Sequence, residues 1–310
     1  MSDKEKTKKS LTTKQRKLFD LIVQLTFVNP FSKQRLLLET DIIGSPIDSF
    51  DHNQKRMHIF NTLSESYSSI KSLKLSDFET KDQFLIKHVF LFFQYHKYTN
   101  EIDNLISTQL KQPTQNISTS FAIEIIKDFQ EFGLKSSEAS HYISLFFQIR
   151  RAFYFIFTNI IGNNSAINQL RIQLWNAIFT HDLQQYNDHL WDRMEDFSTL
   201  LLGKTGTGKG LAAAAIGQSG YIPYDESKSQ FKEPFTKHFY SINLSEIPES
   251  LIESELFGYA KGAFTGAEDD RLGVLDQCSE FGSIFLDEIG DVSSQTQVKL
   301  LKVLQERYFS

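Results

Sequence analysis

Glycine is distributed unevenly along the chain, and this feature most limits what the chain can fold into. Of the 15 glycines, only Gly44, Gly133 and Gly162 lie in residues 1–198, and all the others lie in residues 199–310. A glycine-poor segment favours helices, whereas a glycine-rich segment provides tight turns and close backbone approaches. The distribution therefore predicts two domains of different class, for which a chain of 310 residues has room.

The first half has the pattern of an all-α bundle. Residues 1–10 are rich in lysine and are predicted to be a disordered tail, and residues 11–164 are predicted to form a helical domain with an aromatic core. The most apolar stretch, residues 142–161, is interrupted by Arg150 and Arg151, so it is interpreted as a buried helix and not as a membrane span. The two arginines indicate either an anion or partner site or a salt bridge on a buried face.

A connecting helix is predicted over residues 165–197, where apolar side chains recur at spacings near 3.6 residues. Such a helix could transmit a conformational change between the domains or dimerise. It could equally pack on the bundle and do neither. The position of the helical domain before the second half is what suggests a regulatory role for it.

The second half begins with the pattern strand, glycine loop, helix. Residues 198–202 are predicted to form a buried strand, and the alanine-rich residues 211–216 are a good helix former. The glycine loop between them consists of Gly203, Lys204, Thr205, Gly206, Thr207, Gly208, Lys209 and Gly210. Its glycines let backbone N–H groups surround phosphates at a helix N-terminus, so the loop is predicted to bind a nucleotide through Lys209.

Two further residues complete the predicted nucleotide site. The apolar residues 282–286 are followed by Asp287 and Glu288, an arrangement known as a Walker B motif. Asp287 is predicted to hold Mg²⁺, directly or through water, and Glu288 to polarise the attacking water in phosphoryl transfer. Gly210 stands where the general P-loop pattern has a Ser or Thr hydroxyl for Mg²⁺, so metal binding must depend more on other groups.

Motifs between these elements carry a family resemblance. They are ESELFG at residues 253–258 and GAFTGA at residues 262–267, and residues 239–243 and 297–306 match flanking elements. On these motifs, residues 198–310 resemble the N-terminal part of the AAA+ domain of bacterial sigma-54-dependent transcription activators. The fold class expected from this resemblance is an all-α N-terminal bundle followed by an incomplete α/β P-loop domain.

The resemblance also implies cofactors, partners and residue roles. It implies ATP and Mg²⁺ as cofactors, and an Asn243 that senses the nucleotide through Glu288. It implies a ring of subunits whose GAFTGA loop contacts the sigma-54 RNA polymerase holoenzyme during ATP hydrolysis. That loop would consist of Gly262, Ala263, Phe264, Thr265, Gly266 and Ala267.

The resemblance covers only part of the family's AAA+ domain, and this restricts the activities expected of the chain. The family's remaining core strands, arginine fingers and DNA-binding helices would lie beyond Ser310. ATP hydrolysis is therefore expected of the full-length protein and not of this chain alone, and DNA binding only of a further domain. Residues 218–237 form an insertion relative to the family. The alternative is a truncated, non-enzymatic regulatory protein that binds nucleotide or sigma-54 without turnover.

Composition narrows the setting of the protein. Cys278 is the only cysteine, which excludes an internal disulfide and a cysteine-based metal site. The N-terminus lacks the apolar run of a signal peptide, so a cytoplasmic protein without a membrane segment is expected. The net charge of −5 argues against DNA binding by this chain alone.

Overall fold

The computed structural model describes residues 8–44, 50–194, 197–263 and 268–306, and helices predominate in this part of the chain. The α-helices are α1 (Thr13–Phe27), α2 (Lys33–Ile43), α3 (His52–Ser68), α4 (Thr80–Lys97), α5 (Thr99–Lys111), α6 (Ser120–Phe132), α7 (Ser136–Asn159), α8 (Ser165–Ile178), α9 (Leu183–Gln185), α10 (Lys209–Gly217), α11 (Glu249–Phe257), α12 (Val274–Gln277) and α13 (Ser294–Glu306). The strands are β1 (Tyr224–Asp225), β2 (Gln230–Phe231), β3 (Phe239–Asn243) and β4 (Ser283–Asp287). Across the described ranges, no helix is both long enough and apolar enough to cross a bilayer.

Capping side chains set where several helices begin and end. The hydroxyl of Thr12 accepts a hydrogen bond from the backbone N–H of Gln15, whose side chain accepts one from the N–H of Thr12, so α1 begins with a capping box. At the start of α2, the hydroxyl of Ser32 accepts a hydrogen bond from the backbone N–H of Arg35. Gly44 ends α2 with a φ angle of 73°, a left-handed conformation that glycine adopts without steric cost.

A single aromatic-rich core joins the first eight helices to part of the second half. Its buried side chains include Phe19, Phe129 and Phe147 from the helices, together with Ala215 of α10 and Phe235 farther along the chain. The predicted boundary at residue 198 is therefore not a boundary between cores. Residues 209–235 pack with the helical half because they bury apolar side chains there.

The predicted connecting helix over residues 165–197 is wrong as a continuous element. Helix α8 ends at Ile178, and Thr180 and His181 have φ angles of 50° and 67°. These left-handed conformations cannot continue an α-helix. The side chain of Asp182 then caps α9, which leads into the π-helical turn Tyr186–Leu190.

The predicted strand over residues 198–202 does not form. Strands β3 and β4 pair in parallel, with Phe239 opposite Ser283 and Asn243 opposite Asp287, but no strand of the described residues pairs with residues 198–202. Leu202 is 86% exposed. Because an unpaired strand leaves its backbone groups without a ladder partner, the apolar run stays irregular.

Candidate functional site

The glycine loop of residues 203–210 leads directly into the first turn of α10. Gly206 and Gly208 have φ angles of 82° and 89°, so both need the conformational freedom of glycine. Gly208 is the N-cap residue of α10 and offers no side chain to the first N–H groups of the helix. Those N–H groups and the positive end of the helix dipole can therefore interact with a phosphate.

The loop is also closed tightly on itself. The hydroxyl of Thr207 donates a hydrogen bond of 2.7 Å to the carbonyl oxygen of Lys204. A Cβ atom at Gly203 would lie 2.7 Å from the same hydroxyl oxygen, so a side chain there would displace this hydroxyl. Thr205 lies on the exposed side of this turn.

Lys209 connects the glycine loop to the acidic motif. Its Nζ atom donates a hydrogen bond of 3.2 Å to the carbonyl oxygen of Gly203 and lies 3.5 Å from Oε1 of Glu288. Both charged side chains are partly buried. The structure thus brings together two predicted site residues that are 79 positions apart in the sequence.

The backbone at Glu288 is strained. Its φ angle is 52°, a left-handed conformation that costs a non-glycine residue about 1–2 kcal/mol. The N–H of Glu288 donates a hydrogen bond of 3.0 Å to Oδ1 of Asp287, which stabilises the turn after β4. Strain of this kind is concentrated at functional sites.

Asn243 lies beside the acidic motif, but its side-chain hydrogen bonds go to Glu246 and Ser245 and not to Glu288, so its role as a nucleotide sensor stays a prediction. Asn243 is paired with Asp287 across the two strands. Its Nδ2 atom donates a hydrogen bond of 2.8 Å to Glu246, and its Oδ1 atom accepts one of 3.1 Å from the N–H of Ser245. The side chain caps the turn that follows β3, because asparagine readily bonds to nearby backbone.

These residues fit a nucleotide that carries Mg²⁺. The described part of the chain holds no group of three or more His, Cys, Asp or Glu side chains that could bind a metal alone. Mg²⁺ usually takes one or two carboxylates, with phosphate oxygens and water as its other ligands, and Asp287 supplies one carboxylate. Gly210 supplies none, and a Cβ atom there would meet nothing within 4 Å. The ATP and Mg²⁺ assignments remain predictions.

The GAFTGA segment belongs to a loop with a narrow base. The backbone groups of Tyr259 and Arg271 exchange two hydrogen bonds of 2.8 Å. A Cβ atom at Gly258 would lie 2.1 Å from the carbonyl oxygen of Arg271, and one at Gly273 would lie 2.3 Å from that of Leu256. Only glycine at both positions permits this approach.

Only two of the six predicted partner-binding residues, Gly262 and Ala263, lie within the described part of the chain. Gly262 has a φ angle of 83°, and the N–H of Ala263 donates a hydrogen bond of 3.0 Å to the carbonyl oxygen of Ala260. Phe264, Thr265, Gly266 and Ala267 lie outside the described residues. Their role therefore remains a prediction.

The insertion at residues 218–237 is held by α7, a contact that the sequence analysis missed. Arg151 is fully buried and donates hydrogen bonds of 2.7 Å and 2.6 Å to the carbonyl oxygens of Gln218 and Gly220. Burial lowers the pKa of Arg151 to about 9, which leaves the side chain protonated at neutral pH. Neighbouring Arg150 instead forms an ion pair with Asp103, so the salt-bridge alternative is confirmed for that residue.

Other side chains of α7 extend this contact. Nε2 of Gln148 donates to the carbonyl oxygen of Ser219, and the hydroxyl of Ser144 accepts from the N–H of Tyr224. The ring of Phe147 lies 4.2 Å from that of Phe231 between centroids. The signal in the sequence was the pair of arginines within an apolar helix, but their partners lie too far along the chain to be read from it.

Comparison with known proteins identifies the second half. Residues 180–310 match the family model described as the sigma-54 interaction domain. The transcriptional regulator VasH of Vibrio cholerae is 41% identical over 150 residues, which are 48% of this chain and 23% of VasH. The transcriptional regulatory protein GlrR of Escherichia coli is 48% identical over 112 residues, which are 36% of this chain and 22% of GlrR. The Nif-specific regulatory protein of Azotobacter vinelandii is 45% identical over 113 residues, which are 36% of this chain and 19% of that protein.

The aligned region thus spans about a quarter or less of the length of these relatives. A crystal structure of NtrX from Brucella abortus is similar over 67% of this chain and 43% of that chain, with 20% identity. Its TM-score of 0.33 is too low to support an argument about the fold. The family model and the relatives agree with the motifs on which the resemblance was based. Residues 180–310 therefore match the sigma-54 interaction domain, and the relatives that align with this region support an enhancer-binding protein.

Proposed function

We propose that this chain forms the nucleotide-binding part of an ATP-driven activator of the sigma-54 RNA polymerase holoenzyme. The observation that carries the proposal is the approach of Lys209 to Glu288 within 3.5 Å, in a chain that also contains GAFTGA at residues 262–267. A lysine on a phosphate-binding loop and a carboxylate after a strand are two of the parts that P-loop enzymes use for phosphoryl transfer.

Each residue of the site has a role in this proposal. The N–H groups at the start of α10 and the Nζ atom of Lys209 would bind the β- and γ-phosphates. Asp287 would hold Mg²⁺, which when bound neutralises charge on the phosphates. Because Lys209 neighbours Glu288, its move to the phosphates would release the glutamate to polarise water. Asn243 would have to leave Glu246 before it could sense that change.

The helical half is proposed to regulate the site through α7. This helix holds Gln218 and Gly220, the residues that directly follow α10, and α10 begins with Lys209. A shift of α7 would therefore move the helix that carries the phosphate-binding lysine. Rigid elements in direct contact are a physical route for such coupling.

The GAFTGA loop is the proposed contact with sigma-54. Its narrow base, fixed by Gly258 and Gly273, would transmit a movement of β4 or α11 to the tip. Phe264 is the proposed anchor because an aromatic side chain between glycines suits a partner-binding tip. As in the family, ring assembly of the complete protein is expected to accompany hydrolysis.

The first test is nucleotide binding by this chain, measured with a fluorescent ATP analogue and Mg²⁺. Lys209→Ala should weaken binding by about tenfold or more, because a charge-assisted contact to phosphate is lost. Lys127→Ala, at an exposed position of α6, is the control and should bind as the wild type does. Equal binding by the Lys209→Ala protein would contradict the nucleotide site.

The second test separates hydrolysis from activation in the complete protein. Phe264→Ala should keep ATP hydrolysis but abolish open-complex formation at a sigma-54 promoter. Normal transcription with this variant would contradict the proposed role of the loop. Nucleotide binding without any turnover by the complete wild-type protein would instead favour the non-enzymatic alternative.

A further inference from the structure

A cavity of about 520 Å³ lies inside the helical half, far along the chain from the nucleotide site. Helices α1, α2, α3, α4, α7 and α8 all contribute to its lining. This volume is in the range of small-molecule sites, about 300–1,000 Å³. The cavity is partly open at the protein surface, so a small molecule could enter it from solvent.

The walls of the cavity suit an aromatic ring. Phe92, Tyr95, Phe146, Phe153 and Trp175 are among its lining residues. Trp175 is 5% exposed and lies on α8. Flat apolar side chains on several sides bind a ring by stacking and by edge-to-face contact.

Positive charge converges on the same cavity from three helices. Arg35 and Arg150 line it but are engaged in ion pairs, with Glu39 and Asp103 respectively. Arg56 on α3 also lines it and pairs with no carboxylate in the part of the chain that the structure describes. Of the lining acids, Glu39 pairs with Arg35, and Asp51 accepts a hydrogen bond from the N–H of Gln54 at the start of α3.

His96 adds a polar atom that lacks a partner. Its Nδ1 atom is buried and makes no hydrogen bond to any described residue. Burial, together with Arg35, Arg56 and Arg150, holds the pKa of His96 well below its usual value, so the ring is neutral at neutral pH. A buried polar atom without a hydrogen bond destabilises the folded protein, and a ligand oxygen in the cavity would offset this cost.

We propose that this cavity binds a small aromatic carboxylate, with the ring among the aromatic walls and the carboxylate beside Arg56 and His96. The Arg56 guanidinium, which pairs with no carboxylate of the described residues, supplies charge, and the His96 imidazole supplies a hydrogen bond. The inference does not depend on the proposed ATP-driven function, since it concerns residues of the helical half alone.

The cavity lies against α7, the helix that also holds the insertion at residues 218–237. Tyr142, Phe146 and Phe153 line it from one face of α7, whereas Phe147 and Arg151 on another face hold the insertion. A ligand in the cavity therefore contacts the same helix that holds the residues after α10.

The experiment uses the whole chain and two matched probes, 4-nitrobenzoate and its neutral analogue 4-nitrobenzamide, in calorimetric titrations. The carboxylate should bind about tenfold more tightly than the amide, because only it forms a charge-assisted contact. Arg56→Met should remove this preference, and Lys55→Met, the adjacent position of α3, should preserve it. Equal affinity for the two probes, or an unchanged preference in Arg56→Met, would overturn the proposal.

A second readout locates the probe. The chain has two tryptophans, so Trp191→Phe leaves Trp175 as the only one. Its fluorescence should be quenched by 4-nitrobenzoate with the same concentration dependence as the heat of binding. Heat release without quenching of Trp175 would place binding elsewhere and would also overturn the proposal. His96→Phe, which keeps an aromatic ring but removes the hydrogen bond, should weaken carboxylate binding while the protein stays folded by circular dichroism.

Discussion

The described residues form two hydrophobic cores, which differ in the elements that they hold together. The first extends over α1 to α8 and reaches into α10 and the insertion, through residues such as Ala212, Ala215 and Phe231. The second is a small cluster between β3, α11 and α13. Its buried residues are Leu244, Ile252, Leu256, Val292 and Leu300.

The candidate nucleotide site lies where these cores meet. Lys209 begins a helix whose alanines pack in the first core, whereas Leu286 and Ile289, which flank the acidic motif, pack against the second. The distance of 3.5 Å between Lys209 and Glu288 therefore depends on how the two cores are placed. Because α10 packs in the first core and not in the second, the phosphate-binding helix is held by the helical half more than by its own sheet.

The largest expected effect tests the attachment of the first core to the insertion. Arg151→Met should lower the free energy of unfolding by about 3 kcal/mol, because the carbonyl oxygens of Gln218 and Gly220 lose charge-assisted hydrogen bonds, a loss that is partly offset because a charge is no longer buried. Urea denaturation followed by circular dichroism measures this. Arg193→Met, at an exposed position, is the matched control. If both variants lost the same stability, the insertion would not be held as described.

A smaller effect should stay within the second core. Gly258 has φ and ψ angles of 69° and −167°, a region essentially restricted to glycine. Gly258→Ala should cost about 2 kcal/mol of local stability. It should speed amide hydrogen exchange in α11 and in the loop base, but not in α1–α8. Gly44→Ala, with a positive φ angle but open space around its Cβ, separates steric overlap from backbone strain. Faster exchange throughout the chain would show that the cores are not independent.

The strain at Glu288 allows a comparison inside the site itself. Glu288→Gly and Glu288→Ala both remove the carboxylate, but only glycine adopts a φ angle of 52° without steric cost. The glycine variant should be more stable than the alanine variant by about 1 kcal/mol, as measured by thermal or urea unfolding. A more stable alanine variant would mean that the left-handed conformation is not retained.

The sequence predicted the elements that depend on local patterns but not those that depend on tertiary contacts. The start of α10 at Lys209 and the end of β4 at Asp287 follow from local patterns, since glycine spacing and a short apolar run determine them. The irregular backbone over residues 198–202 and the break at Thr180 could not be read in this way. They depend on strand partners and on packing, which local periodicity does not encode.

The candidate site shows the same limit. Its charged residues were identified by motif, but the side-chain partners of Asn243 and Arg151 were not. Arg151 bonds to a carbonyl group 67 positions away, and no spacing rule connects the two residues. A motif specifies which atoms meet a ligand, whereas the contacts that hold the motif in place depend on the whole fold.

The smallest expected effect concerns Gly210, the departure from the usual P-loop pattern. It lies exposed in the first turn of α10, its φ angle is not positive, and a Cβ atom would meet nothing within 4 Å. Gly210→Ala should therefore raise the free energy of unfolding by about 0.5–1 kcal/mol, because alanine favours helix and restricts the unfolded chain. Gly206→Ala, with a φ angle of 82° four residues earlier, should instead lower the free energy of unfolding.

Urea denaturation of the two variants measures this difference. Because α10 packs in the first core, the stabilisation should appear in the transition of the helical half. A gain confined to the second core would instead assign the phosphate-binding helix to the sheet.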